Sequence, residues 1–158
     1  MHVRPVTADD ADAWLALRGA LWPGSAGDHA AEIEAYFADP PDTSACLVAE
    51  TSAHGIVGFA EVGVRSHAEE CRSSPVGYLE GIYVKPAHRT AGVGRALVLA
   101  GERWARGAGC TEMASDRELA NEGSGAFHEA LGFEESGRIV CYRKAIPGVA
   151  SAPGVGSR

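Results

Sequence analysis

The residue pattern predicts an α/β (α+β) protein, a mixed and largely antiparallel sheet with helices on both faces. Three observations carry this. Two apolar runs, Ser44 to Glu50 and Ile56 to Arg65, flank the short turn Thr51 to Gly55 and so form an antiparallel hairpin. A third run, Tyr78 to Val84, breaks at Pro86 and leads through a glycine-bearing loop straight into an amphipathic helix. Beyond it, strand and helix patterns alternate, which sets helices against a sheet. With 158 residues, 46% of them apolar and 22% charged, the chain suffices for one domain with a buried core. That domain is expected over residues 1–146. The end from Pro147, PGVASAPGVGSR, has no apolar period and reads as a flexible tail over 147–158.

In chain order, His2 to Val6 alternates and suits a first strand. Thr7 precedes Asp10 in a variant of the capping box, and Ala11, Trp14, Leu17 and Leu21 recur at helical spacing until Trp22-Pro23-Gly24 stops the helix. Trp22 at that break either caps the core or walls a cleft. Asp28 to Ala38 is a second helix, with Ile33, Tyr36 and Phe37 on its apolar side. His67 to Pro75 is a polar loop. In the central strand, Gly81 marks a bulge or the close approach of another backbone or ligand, and an amide-bearing arm could pair there as an added strand. Val93 to Arg106 is an amphipathic helix with Gly107 as its stop. Cys110 to Asp116 reads as the next strand. Asn121 caps a helix through Leu131 that Gly132 ends, and Phe133 to Ala145 reads as a last, long strand.

Composition excludes several functions. A formal charge of -7 argues against nucleic acid and suits a cationic substrate. No window approaches the roughly 18 apolar residues of a membrane span, and MHVRPVTADD lacks the apolar core of a signal peptide, so a cytoplasmic location is expected. Cys46, Cys71, Cys110 and Cys141 form no C-x-x-C pair and read as free thiols. His128-Glu129 lacks the second His of a zinc motif, and no metal is expected.

The loop before the third helix carries the first chemical hypothesis. Free backbone N–H groups at a helix N-terminus, with Arg89 beside them, suit a pyrophosphate. The pattern G-x-x-x-x-G-K-S/T is absent, and Leu97 replaces the third glycine of a dinucleotide fingerprint. Arg89-Thr90-Ala91-Gly92-Val93-Gly94 instead resembles the cofactor loop of the GNAT superfamily of acetyl-CoA-dependent N-acetyltransferases. Asn121 followed by Phe127-His128-Glu129-Ala130-Leu131-Gly132-Phe133 resembles a second motif of that superfamily. A closer resemblance spans nearly the whole chain except the tail. Leu21-Trp22-Pro23-Gly24, Cys71 with Ser73-Ser74-Pro75, Leu79-Glu80-Gly81-Ile82, Glu112 to Asp116 and Tyr142-Arg143-Lys144 look like aminoglycoside 6'-N-acetyltransferases.

That resemblance implies transfer of acetyl from acetyl-CoA to an aminoglycoside, and a homodimer. It implies that Trp22, His67, Glu80 and Asp116 line the aminoglycoside cleft, although His67 stands where the family has another aromatic and Gly137 where it has an acid. By the same resemblance Ile82, Tyr83 and Val84 hold the acetyl and pantetheine groups. Arg89, Thr90, Ala91, Gly92, Val93, Gly94 and Arg95 form the pyrophosphate loop, and Asn121 is a further cofactor contact. The chemistry needs a base to free the attacking amine. Asp116 is the first choice; Glu80 is the second, or else it binds a substrate ammonium. His128 stands where many members have a Tyr, and is either an acid for the departing thiolate or a hydrogen-bonded core His. Acetyl transfer to a polyamine or protein amine, and a non-catalytic acyl-CoA sensor, are the competing functions.

Overall fold

A computed structural model of the protein describes residues 1–24 and 26–148. Five strands, β1 (His2–Pro5), β2 (Ser44–Thr51), β3 (Gly55–Arg65), β4 (Val76–Val84) and β5 (Met113–Ser115), lie side by side in sequence order. All neighbours are antiparallel except β4 and β5, which run parallel. The helices are α1 (Ala11–Leu21), α2 (Ala26–Ala38), α3 (Val93–Gly107) and α4 (Glu122–Ala130), with 3-10 turns at Ala8–Asp10 and Pro86–His88.

Alternation along the strands feeds two cores. Leu47, Val57, Leu79, Leu97 and Val98 meet beneath α3, whereas Val48 and Phe59 join Trp14, Leu17 and Ile33 of α1 and α2 on the other face. Helices therefore cover both faces, as the pattern predicts. The entry to α1 is pinned by Asp10, whose carboxylate accepts from the Thr7 amide and hydroxyl (both 2.8 Å) and from Arg4 (2.6 and 3.0 Å). The Arg4 bonds hold the Asp10 carboxyl far below the usual carboxylate range.

Three expected elements differ. The strand placed at Cys110 to Asp116 shortens to Met113–Ser115. Cys110 still donates its N–H to the Ala105 carbonyl (3.0 Å), and Gly109 has φ +86°, so the chain leaves the α3 terminus only at about residue 111. For the same reason Gly107 belongs to the helix, and Gly109 is the left-handed residue that ends it. The long strand expected at Phe133 to Ala145 is not formed: residues 134–146 are exposed and outside the sheet, with Tyr142 93% exposed. An alternating pattern chooses which side a strand would bury, but a strand exists only against a neighbouring edge. Among the described residues the one ion pair of the segment, Arg138 to Glu135 (2.7 Å), is local. Of the expected tail, Pro147 and Gly148 form a turn and residues 149–158 lie outside the described residues.

Candidate active site

The site begins with a slip in the sheet. Glu61 of β3 faces Gly81 of β4, and Val62 faces Leu79, so Glu80 has no opposite residue and forms a bulge. The bulge reverses the alternation of β4. Before it, Leu79 points to the α3 core and Tyr78 to the opposite side; after it, Ile82 and Val84 take the α3 side and Tyr83 the α1 side. Glu80 and Gly81, although consecutive, therefore both address the face covered by α1 and α2. Gly81 is needed there because a Cβ would lie 2.5 Å from the Trp22 ring. Gly81 thus sits next to the bulge, not at it, and the group that approaches it closely is the Trp22 indole instead of another backbone or a ligand.

On this face the polar side chains are connected. Arg65, at the end of β3, donates from Nε to Glu80 Oε1 (3.0 Å) and from Nη2 to Glu80 Oε2 (2.6 Å). Its Cζ stacks 3.3 Å from the centroid of the Tyr78 ring, and the Tyr78 hydroxyl donates to Asp116 Oδ2 (3.0 Å). Burial, then the Asp116 carboxylate, pushes the Tyr78 phenol up to about 12, so Tyr78 is a donor at neutral pH. Asp116 itself is exposed. A cleft of about 320 Å³ opens beside Glu80 and is lined also by Trp14, Arg18, Glu32 and Glu61. Its volume falls at the small end of ordinary ligand pockets. Glu61 accepts from the Trp14 indole (2.9 Å) and lies 3.0 Å from Arg18, which also pairs with Glu32. The structure thus brings Trp22, Glu80 and Asp116 onto one face, while His67 is exposed in the loop after β3. Sequence reasoning missed Arg65, Tyr78 and Glu61. Only the period-2 relation of Tyr78 to Glu80 hinted at any of them, and the structure keeps that relation, since the alternation reverses only after Glu80.

The other half of the site is where β4 and β5 part. Their pairing ends at Leu79 and Ser115, so Glu80 to Val84 keeps β3 on one side and has no β5 neighbour on the other. The strand runs into the Pro86–His88 turn and a loop held by Arg89, whose Nε donates to the Val84 carbonyl (3.0 Å). Thr90 and Gly92 have φ of +63° and +78°, and α3 starts at Val93 with no side-chain cap at Gly92. The first-turn amides of Val93, Gly94 and Arg95 therefore have no intrahelical acceptor, which is what an anion site at a helix N-terminus requires. Gly94 has a packing role as well, since a Cβ there would lie 2.7 Å from the Phe127 ring of α4.

Asn121 Oδ1 accepts from the Ser124 amide (3.1 Å) and caps α4. His128 spans the mouth of the split. Its Nδ1 lies 2.7 Å from the Ser124 carbonyl and its Nε2 2.9 Å from the Ser115 hydroxyl, which reaches the Leu79 carbonyl at 3.1 Å. A carbonyl only accepts, so Nδ1 carries a proton, and Nε2 donates only when the ring is an imidazolium. Among the described residues, no group of three or more His, Cys, Asp or Glu is placed to hold a metal, and no helix is long and apolar enough to cross a membrane. The four cysteines are free thiols, two of them buried.

Comparison with known proteins agrees with this geometry. The model of the GNAT acetyltransferase family matches residues 11–133. An aminoglycoside N(6')-acetyltransferase type 1 of Klebsiella aerogenes is 44% identical over 146 residues, spanning 91% of this chain and 96% of the relative. Its counterpart from Serratia marcescens is 45% identical over 140 residues, 87% of this chain and 94% of the relative. Among solved structures, the apo aminoglycoside 6'-N-acetyltransferase of Acinetobacter haemolyticus superposes with a TM-score of 0.86 at 37% identity, covering 92% of this chain and 99% of that one. AAC(6')-Iy in complex with the bisubstrate analogue CoA-S-monomethyl-acetylneamine gives a TM-score of 0.86 at 38% identity, covering 92% and 98%.

Proposed function

Because the chain belongs to the GNAT family of acetyltransferases, we propose that it transfers the acetyl group of acetyl-CoA to the 6'-amine of aminoglycoside antibiotics and so confers resistance to them. The observation that carries this reading is the bulge at Glu80, where an acidic cleft meets the open edge of β4. A small polycation fits the first and an amide-bearing arm the second.

Bound acetyl-CoA supplies a thioester-activated acetyl group. The amides of the Thr90 to Arg95 loop, with Arg89 behind them, cradle its pyrophosphate, and Ile82 to Val84 pair with the pantetheine. Asn121 adds a cofactor contact through the part of its amide not used as a cap. Glu80 binds a substrate ammonium in the cleft, Trp22, packed over Gly81, offers an apolar wall to a sugar face, and His67 contacts the substrate from the loop after β3. Asp116 takes the proton of the reacting ammonium, directly or through water. The freed lone pair then forms the C–N bond, the C–S bond breaks with its electrons on sulfur, and the nitrogen sheds its second proton to solvent to leave the neutral amide. His128, whose Nε2 reaches the β4–β5 split at Ser115, supplies the proton to that thiolate. Residues 1–146 act as one domain, in a cytoplasmic homodimer to which the exposed Ile139, Val140 and Tyr142 present an apolar surface.

Acetyl-CoA with kanamycin or tobramycin is expected to release CoA thiol and give a mono-acetylated product. An aminoglycoside with a 6'-hydroxyl should bind without efficient turnover. Mass spectrometry and NMR of the product decide the position: acetylation of a 3-amine overturns the regiochemistry, and thiol release at the no-enzyme rate across the panel overturns the activity. Glu80→Gln separates the two carboxylates. It should raise KM more than it lowers kcat, the mark of lost ground-state binding. A collapse of kcat with KM held would exchange the roles of Glu80 and Asp116.

A further inference from the structure

The geometry points to Arg65 as an internal counter-ion of the acceptor cleft, a built-in cation that a substrate ammonium displaces from Glu80. The inference rests on the acetyltransferase reading, since it concerns how that cleft receives a polycation. Arg65 and Glu80 are distant in sequence but meet across β3 and β4 at the bulge. The guanidinium takes both carboxylate oxygens in one fork, at 3.0 and 2.6 Å. Its plane rests on Tyr78, and Tyr78 in turn holds Asp116. One cation is therefore laid between the two carboxylates assigned to the substrate. The other nearby arginine, Arg18, pairs with Glu61 and Glu32.

The pair is accessible. The Arg65 side chain is 39% exposed and Glu80 17%, so the fork meets solvent on the side from which a ligand arrives. Arg65 also has a long stem on which to withdraw, and the Asp116 carboxylate, held by Tyr78, offers it a second partner. Binding an ammonium at Glu80 is then an exchange of one cation for another. Such an exchange keeps Glu80 oriented in the empty cleft, and it blunts the salt dependence of substrate binding because an ion pair stands at Glu80 before and after. A purely orienting role for Arg65 has the opposite sign, since its removal would then weaken substrate binding.

The test is calorimetry of tobramycin on the native protein and on Arg65→Met, which removes the charge but keeps an apolar stem over Tyr78. The Kd of Arg65→Met is expected to fall roughly two- to fivefold at low salt, the scale of a half-exposed ion pair. Its affinity should also decline more steeply than native as salt rises. Arg65→Lys, which keeps the charge without the fork, should fall between the two. Acetyl-CoA affinity reports that each variant is folded, and Arg65→Gln replaces the Met variant under the same readings if that one does not fold. An unchanged or higher Kd for tobramycin, with acetyl-CoA binding intact, overturns the counter-ion. Native protein that binds acetyl-CoA but releases no thiol with tobramycin overturns the proposed function instead, a result visible before any variant is made.

Discussion

Gly92→Asp is expected to reduce acetyl-CoA affinity by about 100-fold or more while leaving a folded protein. The cause is not a clash, because a Cβ at Gly92 meets nothing within 4 Å. The loop is open there, as an anion cradle has to be. What changes is charge. Gly92 is the N-cap of α3, and a carboxylate on it stands among the first-turn amides of Val93, Gly94 and Arg95, occupying the positive end of the helix and repelling a phosphate. Each charge-assisted hydrogen bond lost costs about 1.5–3 kcal/mol, and two of them account for the expected factor. The backbone conformation, φ +78°, adds a smaller penalty that Asp tolerates better than most residues. Gly92→Ala isolates that penalty and should weaken binding far less. Calorimetry with acetyl-CoA, beside a thermal melt of each variant, checks both; a folded Gly92→Asp protein with native affinity would remove this loop from the pyrophosphate site.

The parts of the molecule that could be read in advance are those whose causes are local. Asn121 and Gly132 bracket α4 because a cap and a left-handed stop act over a few residues, and both do so here. The β2–β3 hairpin follows from two alternating runs and a short turn. Trp22, Glu80 and Asp116, chosen from the sequence, do share one face, but the wiring around them was not legible. Arg65 reaches Glu80 because β3 and β4 pair with Arg65 opposite Val76 and Gly63 opposite Tyr78, and register is a property of two strands together. Tyr78 and Asp116 meet only because β4 and β5 run parallel. Gly94 shows a different limit. It looked like a phosphate-loop glycine, and the structure adds a tight contact with Phe127 that no local pattern announces. The fifth strand was expected too long because the α3 terminus runs past Cys110, whereas the unformed last one shows that periodicity names a face but supplies no partner.

Asp116→Asn is expected to lower kcat by roughly 10²–10⁴-fold, the scale of a positioned proton transfer, with acetyl-CoA affinity unchanged. The substitution is conservative in shape. Tyr78 donates to Asp116 at 3.0 Å, and an amide oxygen at the same position accepts that bond equally well, so the end of β5 should keep its path. What the amide cannot do is take a proton. Tyr78 is no substitute, because its phenol, pushed up to about 12, stays protonated at neutral pH and has no free basic form to offer. Nor does His128 fill the gap, since its Nδ1–H is committed to the Ser124 carbonyl and its ring lies across the β4–β5 split beside Ser115. Tyr78→Phe provides the control. It removes the hydroxyl but leaves the carboxylate, and should cost no more than about tenfold in kcat, consistent with one lost hydrogen bond. Steady-state kinetics with tobramycin on the two variants settles the assignment. If Tyr78→Phe costs as much as Asp116→Asn, the proton travels through the phenol; if Asp116→Asn leaves kcat intact and changes only KM, Asp116 binds the substrate and the base must be sought at Glu80.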